Sequence, residues 1–272
     1  QATMAAGYKI FQLMDTPVEI TDDEKAGTLD RIKGDVQFEK VNFWYNPDGE
    51  QVLKDVSLNV PAGSTVAFVG HTGAGKSTMI KLIMRFYDPT TGKICIDGQD
   101  VMAVTQNSLR RQMGVVLQET HLFTGSVMDN IRYGRLDAPD ADVIKAAQAV
   151  GAHDFIERLE NGYNTEVREG GSLLSTGQRQ LLAYARALLA DPRILILDEA
   201  TANIDTATER VIQKALDRLL EGRTSFVIAH RLSTITNADI IVVMDHGEII
   251  EQGTHDELIT ARGKYYQLYT LA

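Results

Sequence analysis

Apolar positions in this chain recur with two different periods, and the changes of period divide it into blocks. Near the start, Ala5, Ala6, Ile10, Phe11, Leu13 and Met14 fall at helical spacing and the pattern stops at Asp15-Thr16-Pro17. This predicts the end of an amphipathic helix with nothing of its own to pack on. From Thr21 to Lys33 the residues become charged and turn-forming, as in a linker. Val36-Gln37-Phe38-Glu39-Lys40-Val41 and Val56-Ser57-Leu58-Asn59-Val60 then alternate apolar with polar, and Asn46-Pro47-Asp48-Gly49 turns between them. Period two on both sides of a turn predicts a small antiparallel sheet. Lys93 to Gly98 reads as a further short strand, and Gly114 to Leu117 runs as an apolar strand into Gln118.

Between Gln118 and Ala190 the period lengthens. Val127 to Ile131, Asp140 to Val150, His153 to Leu159 and Gly177 to Ala190 read as helices separated by glycine-bearing loops, which predicts a helical insertion. Beyond it, Arg193 to Asp198, Ser225 to Ala229 and Ile240 to Met244 are apolar runs bounded by turns and joined through helices at Thr206 to Leu220 and Arg231 to Thr236. Continuous apolar strands alternating with helices describe a parallel α/β core. Two short helices, Thr254 to Thr260 and Gly263 to Tyr269, finish the chain.

One stretch organises the candidate chemistry. The apolar run Thr65 to Val69 precedes Gly70-His71-Thr72-Gly73-Ala74-Gly75-Lys76-Ser77-Thr78, and a helical pattern from Met79 to Met84 follows. Strand, glycine-rich loop and helix in that order, with G-x-x-x-x-G-K-[ST] in the loop, predict a phosphate-binding loop. Glycines let backbone N–H groups turn inward around a triphosphate where a Cβ would clash. The helix beginning near Gly75 directs its orphan amides and positive dipole end at the anion. Residues His71 to Thr78 therefore form the cradle; Lys76 supplies a point charge for the β- and γ-phosphates, and Ser77 a hard hydroxyl ligand for Mg²⁺.

Other residues acquire meaning from that loop. Ile194 to Leu197 is a buried strand ending in Asp198-Glu199, and such strand ends face the ligand crevice of an open α/β sheet. Asp198 is assigned to Mg²⁺ and Glu199 to the attacking water as general base. His230 follows another apolar strand, so it reaches the same sheet edge, where an imidazole can bond a γ-phosphate and orient Glu199. Gln118, also at a strand end, carries the amide needed to touch Mg²⁺ or the lytic water. Tyr45 either stacks on an adenine or belongs to an ordinary aromatic pair on its strand, and spacing does not decide between them. Leu174-Ser175-Thr176-Gly177-Gln178 opens a helix with Ser175 as natural N-cap and Gly177 permitting close backbone approach. It is either a plain cap or a second anion site, and the latter has no lysine or metal carboxylates of its own. An incomplete site of that kind suits completion of the site of another copy.

Composition narrows the class. At 272 residues the chain can bury one large core or two small ones, and a net charge of −10 argues against a nucleic-acid-binding surface, which needs clustered Lys and Arg. The one cysteine, Cys95, excludes an internal disulfide and reads as a small buried hydrophobe in a reducing compartment. No run approaches the roughly 18 to 20 apolar residues of a membrane helix. The chain opens on Gln1, which suggests a piece of something longer.

LSTGQRQ, a strand ending in LDE, TANID and His230, in that order behind the phosphate loop, resemble the nucleotide-binding domain of an exporter-type ABC transporter. The resemblance covers roughly residues 34 to 270. It implies a P-loop NTPase (RecA-like) α/β core with an antiparallel β subdomain and an α-helical subdomain at about residues 119 to 190, preceded over residues 1 to 33 by the end of a last membrane-domain helix and its linker. Gly70 to Thr78 matches the Walker A loop, Gln118 the Q-loop, Leu174 to Gln178 the signature, Ile194 to Asp198 the Walker B strand, Glu199 the catalytic carboxylate, Ala202 to Asp205 the D-loop and His230 the switch histidine. Tyr45 falls where the family stacks adenine, and Thr165 to Gly170 resembles the X-loop of exporters.

The resemblance implies ATP and Mg²⁺ as ligands, and a second such domain as partner, with Ser175, Gly177, Gln178 and Asp205 reaching its nucleotide. It also implies attachment to transmembrane domains at the cytoplasmic face of a membrane. His71 stands where many members have a small residue or proline, Arg168 where a glycine is common, and Thr176 where the signature usually has glycine. Similar signatures occur in heterodimeric exporters with one weakened site. Two rivals to the exporter reading are a soluble ABC ATPase, which usually carries tandem domains or a long coiled-coil insertion, and a regulatory ATP-sensing module, which intact Glu199 and His230 oppose.

Overall fold

The computed structural model describes residues 2–118, 120–167, 173–198, 206–229 and 231–271. Its centre is a six-stranded sheet in the order Glu248–Gly253, Ile240–Asp245, Thr65–Val69, Thr224–Ile228, Ile194–Asp198, Met113–Val116. The last five strands pair in parallel; Glu248–Gly253 pairs antiparallel with Ile240–Asp245 at one edge. Parallel strands occur almost only where both faces of the sheet are covered, and the apolar runs at 65–69, 194–198 and 224–228 are buried almost throughout accordingly.

Strand parity sorts these side chains into two cores. Val66, Phe68, Ile194, Ile196, Phe226, Ile228, Val242 and Met244 face one way. There they meet the Lys76–Ile83 helix through Met79, Ile80, Leu82 and Ile83, together with a second sheet. That sheet is antiparallel, in the order Leu53–Val60, Val36–Phe43, Thr91–Ile96, Gln99–Asp100. Cys95 lies buried in it, and burial raises its thiol pKa. Ala67, Leu195, Leu197, Val227, Ile241 and Val243 point the other way, into the helical side of the molecule.

The Thr176–Ala190 helix is the axis of that side, packed on helices Val127–Arg132, Asp140–Ala149 and Thr206–Leu220. Its Ala, Leu, Gln and Arg content favours helix. It starts in a reciprocal capping box between Ser175 and Gln178, and it stops where Asp191 turns left-handed with φ 46° before Pro192. The sequence expectation of a parallel α/β core with a small antiparallel sheet and a helical block matches this arrangement. Not anticipated were the edge strand Glu248–Gly253, the Gln106–Arg110 helix, and the two-stranded ribbon of Gly125–Ser126 with Glu166–Val167.

The stretch read as a linker is held along its length. Leu29 and Ile32 are buried in the core beneath the antiparallel sheet. Gly27 forms a bridge with Val104, donating its amide to the Ala103 carbonyl and accepting from Thr105, both at 2.9 Å. The amides of Lys33, Gly34 and Asp35 all donate to the Asp97 carboxylate at 2.6 to 3.0 Å. Arg85, 2% exposed, contacts Asp22 at 3.3 Å and Asp88 at 3.1 Å, and donates to the carbonyls of Val104 and Thr21. The Arg31–Asp191 pair at the other end is more than half exposed on both sides, so it is worth under about 1 kcal/mol. Of the two ion-paired arginines, buried Arg85 is the stronger anchor.

Replacing Arg85 with Ala strips partners from two carbonyls and two carboxylates, and should lower the unfolding free energy by roughly 2–4 kcal/mol in urea titrations. Amide exchange at residues 21 to 33 should accelerate more than exchange in the parallel sheet. Equal stability, or acceleration spread evenly over the domain, would show that the segment is held by something other than this guanidinium.

Candidate functional site

Parallel pairing brings the ends of several strands to one edge: Ile228 lies opposite Phe68 on one side and Asp198 on the other. The loop leaving Thr65–Val69 turns there in a conformation only glycine tolerates. Gly70 has φ 150°, and a Cβ on it would lie 2.2 Å from the Met244 carbonyl oxygen. Gly75, at φ 106°, is the N-cap of the Lys76–Ile83 helix, and its added Cβ would meet Leu53 at 2.8 Å. The cap therefore has no side chain to satisfy the helix's first amides, and the first to bond back, those of Thr78 and Met79, both reach the Gly75 carbonyl at 3.0 Å. Amides earlier in that turn need an acceptor from outside the helix.

A cavity of about 470 Å³ opens at this point, lined by Tyr45, Val52, Thr72, Gly73, Gly75, Lys76, Ser77, Thr78, Gln118, Asp198 and Ile228. Lys76 folds back so that its Nζ donates to the carbonyls of Gly70 at 2.6 Å and His71 at 2.9 Å. Burial lowers its pKa, and the charge of Asp198 opposes that shift in part. The donor set comprises uncapped helix amides, one lysine, and oxygen groups on Ser77, Gln118 and Asp198. This fits a polyphosphate with a hard divalent cation such as Mg²⁺, whose ligands are oxygens.

Several expected residues lie beside rather than in the cavity. Ala74 is buried and its carbonyl accepts from the Gly247 amide at 3.2 Å. His71 points toward the Ile240–Asp245 strand end, its Nδ1 2.7 Å from the Thr72 carbonyl and its Nε2 2.6 Å from Asp245. The Thr72 carbonyl first, and Asp245 second, raise the His71 pKa; the bond to His71 lowers that of Asp245. Tyr45 forms the aromatic pair of its second alternative, edge-on to Phe43 and Tyr87 at 4.9 and 5.0 Å, while also lining the cavity. Its hydroxyl is 3.0 Å from Thr78 Oγ1.

Ser175, Gly177 and Gln178 are not among the described residues lining the cavity. Ser175 Oγ accepts from the Gln178 amide at 3.2 Å, the Ser175 amide donates to Gln178 Oε1 at 2.9 Å, and Arg179 donates to Thr176 Oγ1 at 3.1 Å. Glu199, Asp205 and His230, and the X-loop residues Arg168 to Gly170, lie outside the described residues. Val52 and Ile228 line the cavity without having been singled out: Ile228 reads as an ordinary strand hydrophobe, and nothing in the pattern marks Val52.

Residues 53–202 match the family model for ABC transporters. The chain is 53% identical over 262 residues to the ABC transporter ATP-binding protein YknV of Bacillus subtilis, covering 96% of this chain and 43% of the relative. It is 48% identical over 271 residues to an ATP-dependent lipid A-core flippase of Syntrophus aciditrophicus, covering 100% and 45%. A bacterial Atm1-family ABC exporter solved with ATP bound superposes with a TM-score of 0.89 at 44% identity, over 98% of this chain and 47% of that one. The chain thus spans less than half the length of these relatives.

The geometry at His71 makes a titration testable. Its imidazole should titrate above the ordinary histidine value in a chelator-containing NMR experiment, and Asp245→Asn should bring it part of the way back. Because the folded value is raised, the interaction stabilises below the unfolded histidine pKa and is lost as pH rises through the folded one. An unshifted His71, or no response to Asp245→Asn, would contradict the contact.

Proposed function

Because the chain belongs to the ABC transporter family, we propose that it is the ATP-binding and ATP-hydrolysing domain of an exporter, acting as one half of a nucleotide-sandwiching pair. The observation that carries this is the single cavity gathering the phosphate loop, Lys76, Ser77, Gln118 and Asp198, while the Ser175 helix end stands outside it. In this reading residues 1–33 continue a membrane-domain helix and its linker, and residues 34–272 form the nucleotide-binding domain. No helix among the described residues is long and apolar enough to cross a membrane. The Ala2–Met14 helix nonetheless exposes Met4, Tyr8, Ile10, Phe11, Leu13 and Met14, each at 59% or more, as expected of a helix that continues into other protein. The partners are a second nucleotide-binding domain and the transmembrane domains, at the cytoplasmic face of a membrane.

In this mechanism the amides after Gly75 hold the phosphates, and the Lys76 ammonium exchanges loop carbonyls for the β- and γ-oxygens. Ser77, Gln118 and Asp198 would hold Mg²⁺, which when bound neutralises developing phosphate charge. Glu199 takes a proton from water as the water oxygen attacks the γ-phosphorus in line. The bond from that phosphorus to the β,γ-bridging oxygen breaks, leaving ADP and inorganic phosphate. His230 steadies the γ-phosphate. The partner's Ser175 helix end covers the opposite side of the nucleotide and completes the water-excluding enclosure. Binding then closes the pair and hydrolysis reopens it, and that motion is what the membrane helices receive.

Lys76→Ala should abolish ATP binding in a fluorescent-nucleotide titration. Glu199→Gln should keep binding while turnover falls by about 10² or more. Multi-turnover hydrolysis at the original rate in Glu199→Gln would overturn the assignment of the base. The solution mass of Glu199→Gln should double on adding Mg·ATP; a monomer that demonstrably binds ATP would overturn pairing between identical chains through Ser175.

A further inference from the structure

Beside the nucleotide cavity lies a second cluster that the proposed mechanism does not use. His71, Asp245 and His246 each present one donor atom, and these three atoms lie within 4.8 Å of one another. Asp245 Oδ1 is 2.6 Å from His71 Nε2 and 3.7 Å from His246 Nε2, and the two imidazole centroids are 5.1 Å apart. The cluster joins the first turn of the phosphate loop to the turn after the Ile240–Asp245 strand. The same junction is fastened by the Gly247 amide on the Ala74 carbonyl.

The hydrogen-bond chemistry of His71 says more than proximity does. Nδ1 faces the Thr72 carbonyl and Nε2 faces the Asp245 carboxylate. A carbonyl and an ionised carboxylate can only accept, and a neutral imidazole has a single N–H to give. Two acceptors around one ring therefore require either an extra proton or another cation in the proton's place at Nε2. The Nδ1–H bond to a backbone carbonyl is also the outer contact that orients a metal-bound histidine and fixes its tautomer. His246 then adds a second imidazole on the same carboxylate.

We infer that His71, Asp245 and His246 form a binding site for a borderline divalent transition metal, of which Zn²⁺ is the representative. Binding displaces the proton at His71 Nε2 to solvent and leaves the fourth position to water. Tetrahedral zinc with ligands at about 2.0–2.1 Å needs donors about 3.4 Å apart. The His71–Asp245 contact at 2.6 Å must open by about 0.8 Å, which side chains 47% and 27% exposed can accommodate, and His246, at 79%, can swing inward. Two nitrogens select against Mg²⁺, so the site is chemically separate from the Ser77–Asp198 oxygen set. Lys76 and Lys264 are near enough to act electrostatically on this cluster, which together with its exposure points to micromolar affinity rather than a permanent structural ion. This reading does not depend on the exporter assignment.

The test is Zn²⁺ titration of the whole 272-residue chain against a chromogenic chelator, with millimolar Mg²⁺ present, alongside His246→Asn and His71→Gln. Asn suits position 246, whose φ of 46° it tolerates, so the first variant keeps the fold. The site predicts one micromolar Zn²⁺ per chain and at least about ten-fold weaker binding in both variants, ligand loss costing no less than loss of an outer-shell partner. Visible absorption of a tetrahedral Co²⁺ adduct should likewise be present in the starting chain and lost in His246→Asn. Absent Zn²⁺ binding, or binding undiminished in His246→Asn, would overturn the inference. Should His71→Gln fail to fold, His246→Asn alone decides.

Discussion

Ile228 sits between Phe68 and Asp198, and Val69 lies opposite Val243 in the neighbouring strand. This parallel register is the constraint on which the site depends. Parallel strands deliver all their C-terminal ends to one edge, so a phosphate loop after one strand and a carboxylate ending another meet without a dedicated loop to position them. The register is strongly specified, because a slip by one residue would exchange the two cores. Phe68, Ile196 and Phe226 would turn toward the helices, and Ala67, Leu197 and Val227 toward the antiparallel sheet. Each large side chain buried there contributes about 1.5–3 kcal/mol, so such a slip has no compensating state.

The two cores serve the edge differently. The core shared with the antiparallel sheet fixes the base of the phosphate loop, since Ala74, Met79 and Ile83 pack into it while Lys76 and Ser77 remain at the cavity. The helical core instead supports the Thr176–Ala190 helix, whose capped start lies apart from that cavity. A charged loop lysine held by two carbonyls, and a helix end satisfied by its own capping box, are each locally complete. Neither needs the other within one chain.

The sequence made the site legible wherever chemistry depends on local backbone. The glycines at 70 and 75 can be read from a motif because the close approaches they permit, to Met244 and Leu53, are demanded by the loop's own path. Ser175 and Gln178 form the capping box that their spacing encodes. What stayed hidden was tertiary. Glu248–Gly253 forms a strand with adjacent isoleucines and polar neighbours, giving no period-two signal, and it is held by one partner strand. Residues 21 to 33 read as a linker because their fixing contacts lie on Arg85, Asp97 and Ser108, far away in the chain. Tyr45 could not be resolved from spacing, since its ring contacts depend on Tyr87 in another segment.

That docked segment has a mechanical meaning. From Ile20, whose carbonyl accepts from Gln106, to Asp35 on Asp97, no more than four consecutive residues, 23 to 26, pass without a bond to the rest of the domain or a buried side chain. A tether fastened so often has no slack. An unfastened leash would absorb displacement as entropy, stretching before it pulled, whereas this one passes movement of the sheet to whatever precedes residue 20 with little lost. The hinge, if the molecule needs one, is thereby displaced out of residues 20 to 35 and onto the short Asp15-Thr16-Pro17 break beyond the Ala2–Met14 helix.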